Sequence, residues 1–145
     1  MALDIGAKRD QWVKALGEHD GFIHETRWFD GSILVEVGTA RTWLKVYRGR
    51  IIDHLDHVPV FGYTIKLSGS PEAWRMLAAG ERTFTDQIMA GSRHLASYAD
   101  PEAEGGGYRP PEIAVEGDGF AAGRLHIGLY HLAQSFIATF APAAA

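Results

Sequence analysis

The stretch from Tyr63 to Gly91, YTIKLSGSPEAWRMLAAGERTFTDQIMAG, leaves few folds open to this chain. Tyr63, Ile65 and Leu67 alternate with Thr64 and Lys66, the period of a strand with one face buried. The run meets Ser-Gly-Ser-Pro, where Ser70 suits an N-cap, Pro71 the first helical turn and Glu72 the positive end of the helix dipole. Trp74, Leu77 and Ala78 then share a helical face until Gly80 stops it. Thr83 and Asp86 form a capping-box pattern for a second short helix carrying Phe84, Ile88 and Met89, which Gly91 ends. A strand feeding two short apolar helices can be plain core, or the wall of an apolar ligand cavity. That choice decides the function.

The remaining chain surrounds this unit with strands and helices. Ile5, Trp12, Val13 and Leu16 fall near one helical face, with Gly17 as the stop. FIHETRWF, residues 22–29, alternates as a strand, with Asp30-Gly31 as a hairpin turn into SILVEV. Gly38-Thr39 and Arg48-Gly49 break the next two runs, and Pro59 confines the strand before it to an edge or a bulge. With Phe61–Leu67 this makes about five strands, an antiparallel meander. Residues 92–99, SRHLASYA, fit a last strand or a helical extension equally. From Asp100 to Gly123 the composition turns to Pro, Gly and Glu, as in an insertion loop or lid. Residues 124–140 close the chain as a helix. Its apolar surface is wide enough to be buried nearly all round, to cover a cavity, or to form a homodimer. The expected architecture is therefore a single α+β domain.

Several function classes are excluded by composition. The net charge is −4 with no cluster of Lys and Arg, which argues against a nucleic-acid surface. No cysteine is present, so disulfides, thiolate metal sites and a Cys nucleophile are ruled out. Neither a secretion signal nor an apolar run of roughly 18 residues is visible, which reads as a cytoplasmic chain without a membrane span. No motif implies a metal, nucleotide or other cofactor: GDGFAAG, residues 117–123, lacks the dinucleotide spacing, and no G-x-S-x-G elbow surrounds a serine.

Two segments, ILVEVGTARTWLKVYRGRI and YTIKLSGSPEAWRMLAAGERTFTDQIMAG, resemble the sterol carrier protein 2 (SCP2-like) domain family. The first looks like that family's paired strands. The second is similar to its succession of strand, small-residue turn, Trp helix, Gly, short helix, Gly. The resemblance spans roughly residues 5–99 and 124–140 and implies a sheet covered on one face by helices, with a hydrophobic tunnel between for lipids, acyl chains or sterols. The chain departs from the family after Gly91, where Ala99-Asp100 leads into the long insertion instead of a strand ending in Gly-Asp.

The residues offered to such a cavity are Trp28, Trp43, Phe61, Trp74, Phe84, Ile88, Met89, Tyr130 and Phe136. A hydrophobic small molecule is the partner they imply. Seven histidines supply a second possibility. In IIDHLDHV, strand alternation puts Asp53 with His57 on one face and His54 with Asp56 on the other, each face pairing an imidazole with a carboxylate. With His24 and His131, these groups could serve a cofactor-free lyase, isomerase or cyclase acting on an aromatic or polycyclic substrate. Convergence of two or more of His24, Asp53, His54, His57 and His131 on one pocket would support catalysis.

Overall fold

The computed structural model describes residues 3–89, 91–92, 108–109 and 111–142. Helices α1 (Ile5–Gly17) and α2 (Asp20–Glu25) precede strands β1 (Asp30–Val37), β2 (Ala40–Tyr47), β3 (Arg50–Leu55) and β4 (Ile65–Gly69). Helices α3 (Pro71–Ala79) and α4 (Phe84–Ile88) follow, then strands β5 (Gly91–Ser92), β6 (Tyr108–Arg109) and β7 (Ile113–Gly117), and helices α5 (Gly119–Arg124) and α6 (His126–Phe140). Five strands form one sheet in the order β3-β2-β1-β4-β7, and β5 pairs with β6 separately.

Alternation divides the sheet into two unlike faces. Ile33, Val35, Val37, Leu44, Val46, Ile65, Leu67 and Ile113 point one way and join a single apolar core with side chains of α1, α2, α3, α4 and α6. The intervening residues Leu34, Glu36, Trp43, Lys45, Lys66 and Glu116 point the other way, where none of the described helices packs. This is the expected α+β architecture, helices over one side of a largely antiparallel sheet.

The central unit forms as its capping chemistry dictates. Ser70 accepts from the Ala73 amide, Thr83 accepts from the Asp86 amide, and Gly80 ends α3 in the left-handed region at φ 77°. Much of the apolar surface of α6 is buried: Leu129, Leu132, Ala133, Phe136 and Phe140 are enclosed, with α1, α2 and α3 packed around the helix, while Ile127 and Tyr130 stay exposed.

Four expectations need correction. Residues 22–29 are not a strand: α2 occupies Asp20–Glu25, capped by the His19 ring, which accepts from the Phe22 amide. Phe22 and Thr26, both fully buried, obey the four-residue spacing of a helix, and the Thr26 hydroxyl donates to the Phe22 carbonyl at 2.7 Å. Eight residues satisfied both periods, and packing chose the helical one.

Asp30-Gly31 is likewise no turn, because both residues lie in β1. Gly31 answers to crowding instead. A Cβ there would come within 2.6 Å of the Thr64 hydroxyl and 2.7 Å of the Phe29 ring.

The meander is interrupted after β3. Strand β4 starts at Ile65, later than Phe61, and crosses the sheet to pair parallel with β1. Finally, the fifth strand comes from the stretch read as insertion loop. Ile113–Gly117 pairs antiparallel with β4, with Leu67 opposite Val115 and Lys66 opposite Glu116, and α5 follows. The expectations for 93–100 and for most of a lid over 100–110 fall outside the described residues.

Candidate functional site

The helix-covered face is an aromatic seam. Trp12 on α1 lies edge-on to Phe136 at 5.4 Å and to Phe140 at 6.0 Å, and Trp74 on α3 lies 4.9 Å from Phe136. The Trp74 indole N–H is satisfied by the Glu36 carbonyl at 3.0 Å. Trp12 Nε1, Ser135 Oγ and Gln87 Oε1, all fully buried in this layer, find no partner among the described residues, although the Gln87 amide nitrogen donates to the Ala73 carbonyl.

Of the side chains offered to an apolar cavity, Trp74, Phe84 and Phe136 belong to this layer, with Ile88 and Trp28 half-buried at its margin. Trp28 is covered by the Arg124 guanidinium, 4.1 Å from its ring centroid, at the end of α5. None of that helix's own residues is fully buried. Met89 and Tyr130 face solvent, and Trp43 and Phe61 lie on the opposite face of the sheet. The layer's other large members, Phe22 and Phe140, were missed because one was read in a strand and the other only as part of a stripe.

The open face carries a cleft of about 460 Å³, lined by Gly31, Ser32, Trp43, Lys45, Ile52, Asp53, Phe61, Tyr63 and Thr64. It exists because residues 56–64 fold back over the sheet on their way from the edge strand β3 to β4. The Trp43 indole donates to the Gly62 carbonyl at 3.0 Å and stacks edge-on to Phe61 at 5.6 Å, so Trp43 is 2% exposed on a face that none of the described helices covers. A bulge opposite Lys45/Val46 inserts Ile52 as an extra residue on β3, leaving it 59% exposed beside the cleft. Ser32 and Thr64 clasp each other: the Thr64 hydroxyl accepts from the Ser32 amide at 3.0 Å and the Ser32 hydroxyl accepts from the Thr64 amide at 3.1 Å.

Charges flank this cleft. Lys45 reaches Asp30 at 2.8 Å and stands opposite Asp53 in the β2–β3 register. Further along, Glu36 pairs with Arg41 at 2.9 Å and Lys66 pairs with Glu116 at 3.0 Å. Burial pushes the Glu36 carboxyl up, but hydrogen bonds from Arg41 and Ser68 and the charges of Lys66 and Arg41 outweigh it and hold its pKa below the ordinary range. The hydrogen bond to Glu116 raises Lys66. Its ammonium lies 5.5 Å from the Tyr63 ring centroid.

The acid–base candidates are dispersed. Asp53 lines the open-face cleft, and its carboxylate accepts from the amide of His54. The His54 side chain points to the other face and meets Asp10 of α1 at 3.1 Å on the surface. Strand alternation ends at Leu55, so His57 bonds its own neighbour Asp56 at 2.9 Å in solvent. Asp56 is lowered by that hydrogen bond. His24 is exposed on α2. His131, on α6, lies 5.1 Å from the His19 ring, over Gly21, where a Cβ would come within 2.5 Å of the imidazole. Among the described residues no group of three His, Asp or Glu side chains is placed to hold a metal ion, and no helix is long and apolar enough to cross a membrane.

No family model and no curated protein matches the sequence. Solved structures do match the fold. The crystal structure of sterol carrier protein 2 superimposes with a TM-score of 0.65 at 10% identity, over 92% of this chain and 95% of that one. The solution structure of a conserved hypothetical protein from Thermus thermophilus, described as a candidate sterol carrier protein, superimposes with a TM-score of 0.53 at 8% identity, over 92% and 86%. At such identities the likeness concerns backbone architecture alone, and on that ground the chain has the SCP2-like fold.

Proposed function

We propose that the chain binds a hydrophobic small molecule, a lipid, acyl chain, sterol or other polycyclic compound, between the sheet and the helices. The observation that carries this reading is the incomplete polar chemistry of that layer. Buried polar atoms almost always have partners, and leaving one without costs about 1–3 kcal/mol. Here the Trp12 N–H and the Ser135 hydroxyl are left without one on α1 and α6, the two helices that meet at Phe136. A ligand with an apolar body and one hydroxyl or carbonyl would satisfy such groups. Its own burial would supply affinity at about 25 cal/mol per Å² of apolar surface.

The seam is closed by side chains, so admitting a ligand requires helices to part. The α5 helix is the cheapest element to lift, since none of its own residues is fully buried and Arg124 at its end rests on Trp28. The names of the two solved proteins of this fold point to the same ligand class. The alternative, a cofactor-free lyase, isomerase or cyclase, lacks such support, because its five candidate groups lie apart.

Native mass spectrometry of protein from cells, followed by titration with a fluorescent fatty acid and a fluorescent sterol, tests the reading. An acyl or polycyclic molecule should co-purify, or one probe should saturate at one per chain. Trp12→Phe should weaken a hydroxylated probe more than its hydrocarbon analogue. Absence of both co-purified ligand and saturable probe binding sinks it.

A further inference from the structure

We propose that the open face of the sheet is a second and separate binding site, the cleft beneath residues 56–64, for a planar aromatic molecule carrying one neutral carbonyl acceptor. The volume of about 460 Å³ falls in the range of small-molecule sites, about 300–1,000 Å³.

Its walls are made for a flat apolar body. Trp43 forms the buried wall, Tyr63 stands nearby, and Phe61 and Ile52 face solvent at 78% and 59% exposure. Phe61 meets the Trp43 ring edge-on, at an interplanar angle of 62°, so a third ring can pack against both in the geometry aromatic groups favour. Neither exposed side chain serves the main core. Val60, next to Phe61, is also fully exposed, so apolar surface is concentrated at one edge of the cleft.

The floor selects the polar end. Ser32 and Thr64 each use their hydroxyl oxygen to accept from the other's backbone amide, and neither hydroxyl hydrogen has a protein acceptor among the described residues. Two donors thus remain in the lining, with Lys45 beside them. An acceptor on the ligand matches them. Asp30 and Asp53 already offset the Lys45 charge, which disfavours an anion and leaves a carbonyl as the fitting acceptor.

Three naphthalene probes of equal size decide the matter: 2-acetylnaphthalene, 2-naphthoate and (2-naphthylmethyl)ammonium. Each is titrated into the full chain, and the Trp43 indole N–H and the Thr64 amide are followed by NMR. The acetyl probe should shift both signals saturably and bind about tenfold tighter than either ion, the effect of one well-placed hydrogen bond. Phe61→Ala should weaken the acetyl probe and the acceptor-free control 2-ethylnaphthalene alike. Ser32→Ala should weaken the acetyl probe alone, because the Ser32 carbonyl still accepts from the Thr64 amide at 3.1 Å and holds the strand ends together. Trp12→Phe, across the sheet, should change neither. No saturable shift at Trp43 in a chain with a folded spectrum, tighter binding of the acid or the ammonium, or indifference to Phe61→Ala overturns the proposal.

Discussion

The two faces of this sheet solve the same problem by different means. On one, rings from α1, α3 and α6 interdigitate with strand side chains into a closed layer that excludes water, yet retains unpartnered polar atoms. On the other, none of the described helices packs, and Trp43 is buried by a connecting segment that leaves a cleft beside it. Where burial comes from helices, stability and any ligand space compete for the same volume, so binding has to displace packing. Where it comes from a loop over a polar sheet, space remains at little cost to the core. On the two proposals above, the inner face would take a ligand that rearranges the protein, and the outer face one that meets a formed site.

The contrast can be broken by mutation. Phe136→Ala removes the ring that contacts Trp12, Trp74 and Phe140 and should cost about 3–5 kcal/mol in urea unfolding. A loss under about 1.5 kcal/mol would mean the inner layer is loosely filled. Trp43→Phe keeps a ring under residues 56–64 but leaves the Gly62 carbonyl without its donor. It should cost about 1–2 kcal/mol and speed amide exchange in that segment alone.

The charged stripe gives a smaller, pH-dependent effect. Glu36 is depressed below its ordinary value of 4.5. Its ionised form is thus the one the fold favours, and the stabilisation is present above about 4.5 and lost as pH falls through the folded value. Glu36→Gln should be less stable than the parent at pH 7, by up to about 1 kcal/mol for so accessible a network, and the gap should close in acid. Parallel pH profiles would remove Glu36 from this role. Smallest of all, Phe61→Ala should shift stability by no more than about 0.5 kcal/mol, since the ring is largely solvent-exposed. A larger loss would make Phe61 a structural member and weaken its place in the cleft.

The sequence was most legible where chemistry is local. Ser70 and Thr83 cap because their hydroxyls meet amides three residues on, and Gly80 stops α3 because its φ is positive. Pro59 left β3 short, bulged or on an edge, and the strand is both bulged and on the edge, while α1 and α6 followed from their apolar stripes. Legibility failed where two periods or two compositions overlapped. Residues 22–29 alternate as well as they wind, and Ile113 and Val115 alternate inside a window whose prolines and glycines suggested loop. The candidate site suffered most, since Trp43 and Trp74 look alike in sequence yet face opposite sides of the sheet.

By itself, then, the sequence determined the strand, turn and two helices of Tyr63–Gly91, the caps that hold them and the apolar content of the closing helix. These depend on contacts within a few residues. Tertiary structure decided that β4 crosses to lie parallel to β1, that the last strand comes from 113–117, and that His24, Asp53, His54, His57 and His131 do not converge on one pocket. It also decided that space opens on the uncovered face, beneath Gly62 and Phe61. Those outcomes follow from which strands become neighbours and in what register, and a one-residue change in register would send every side chain to the other face.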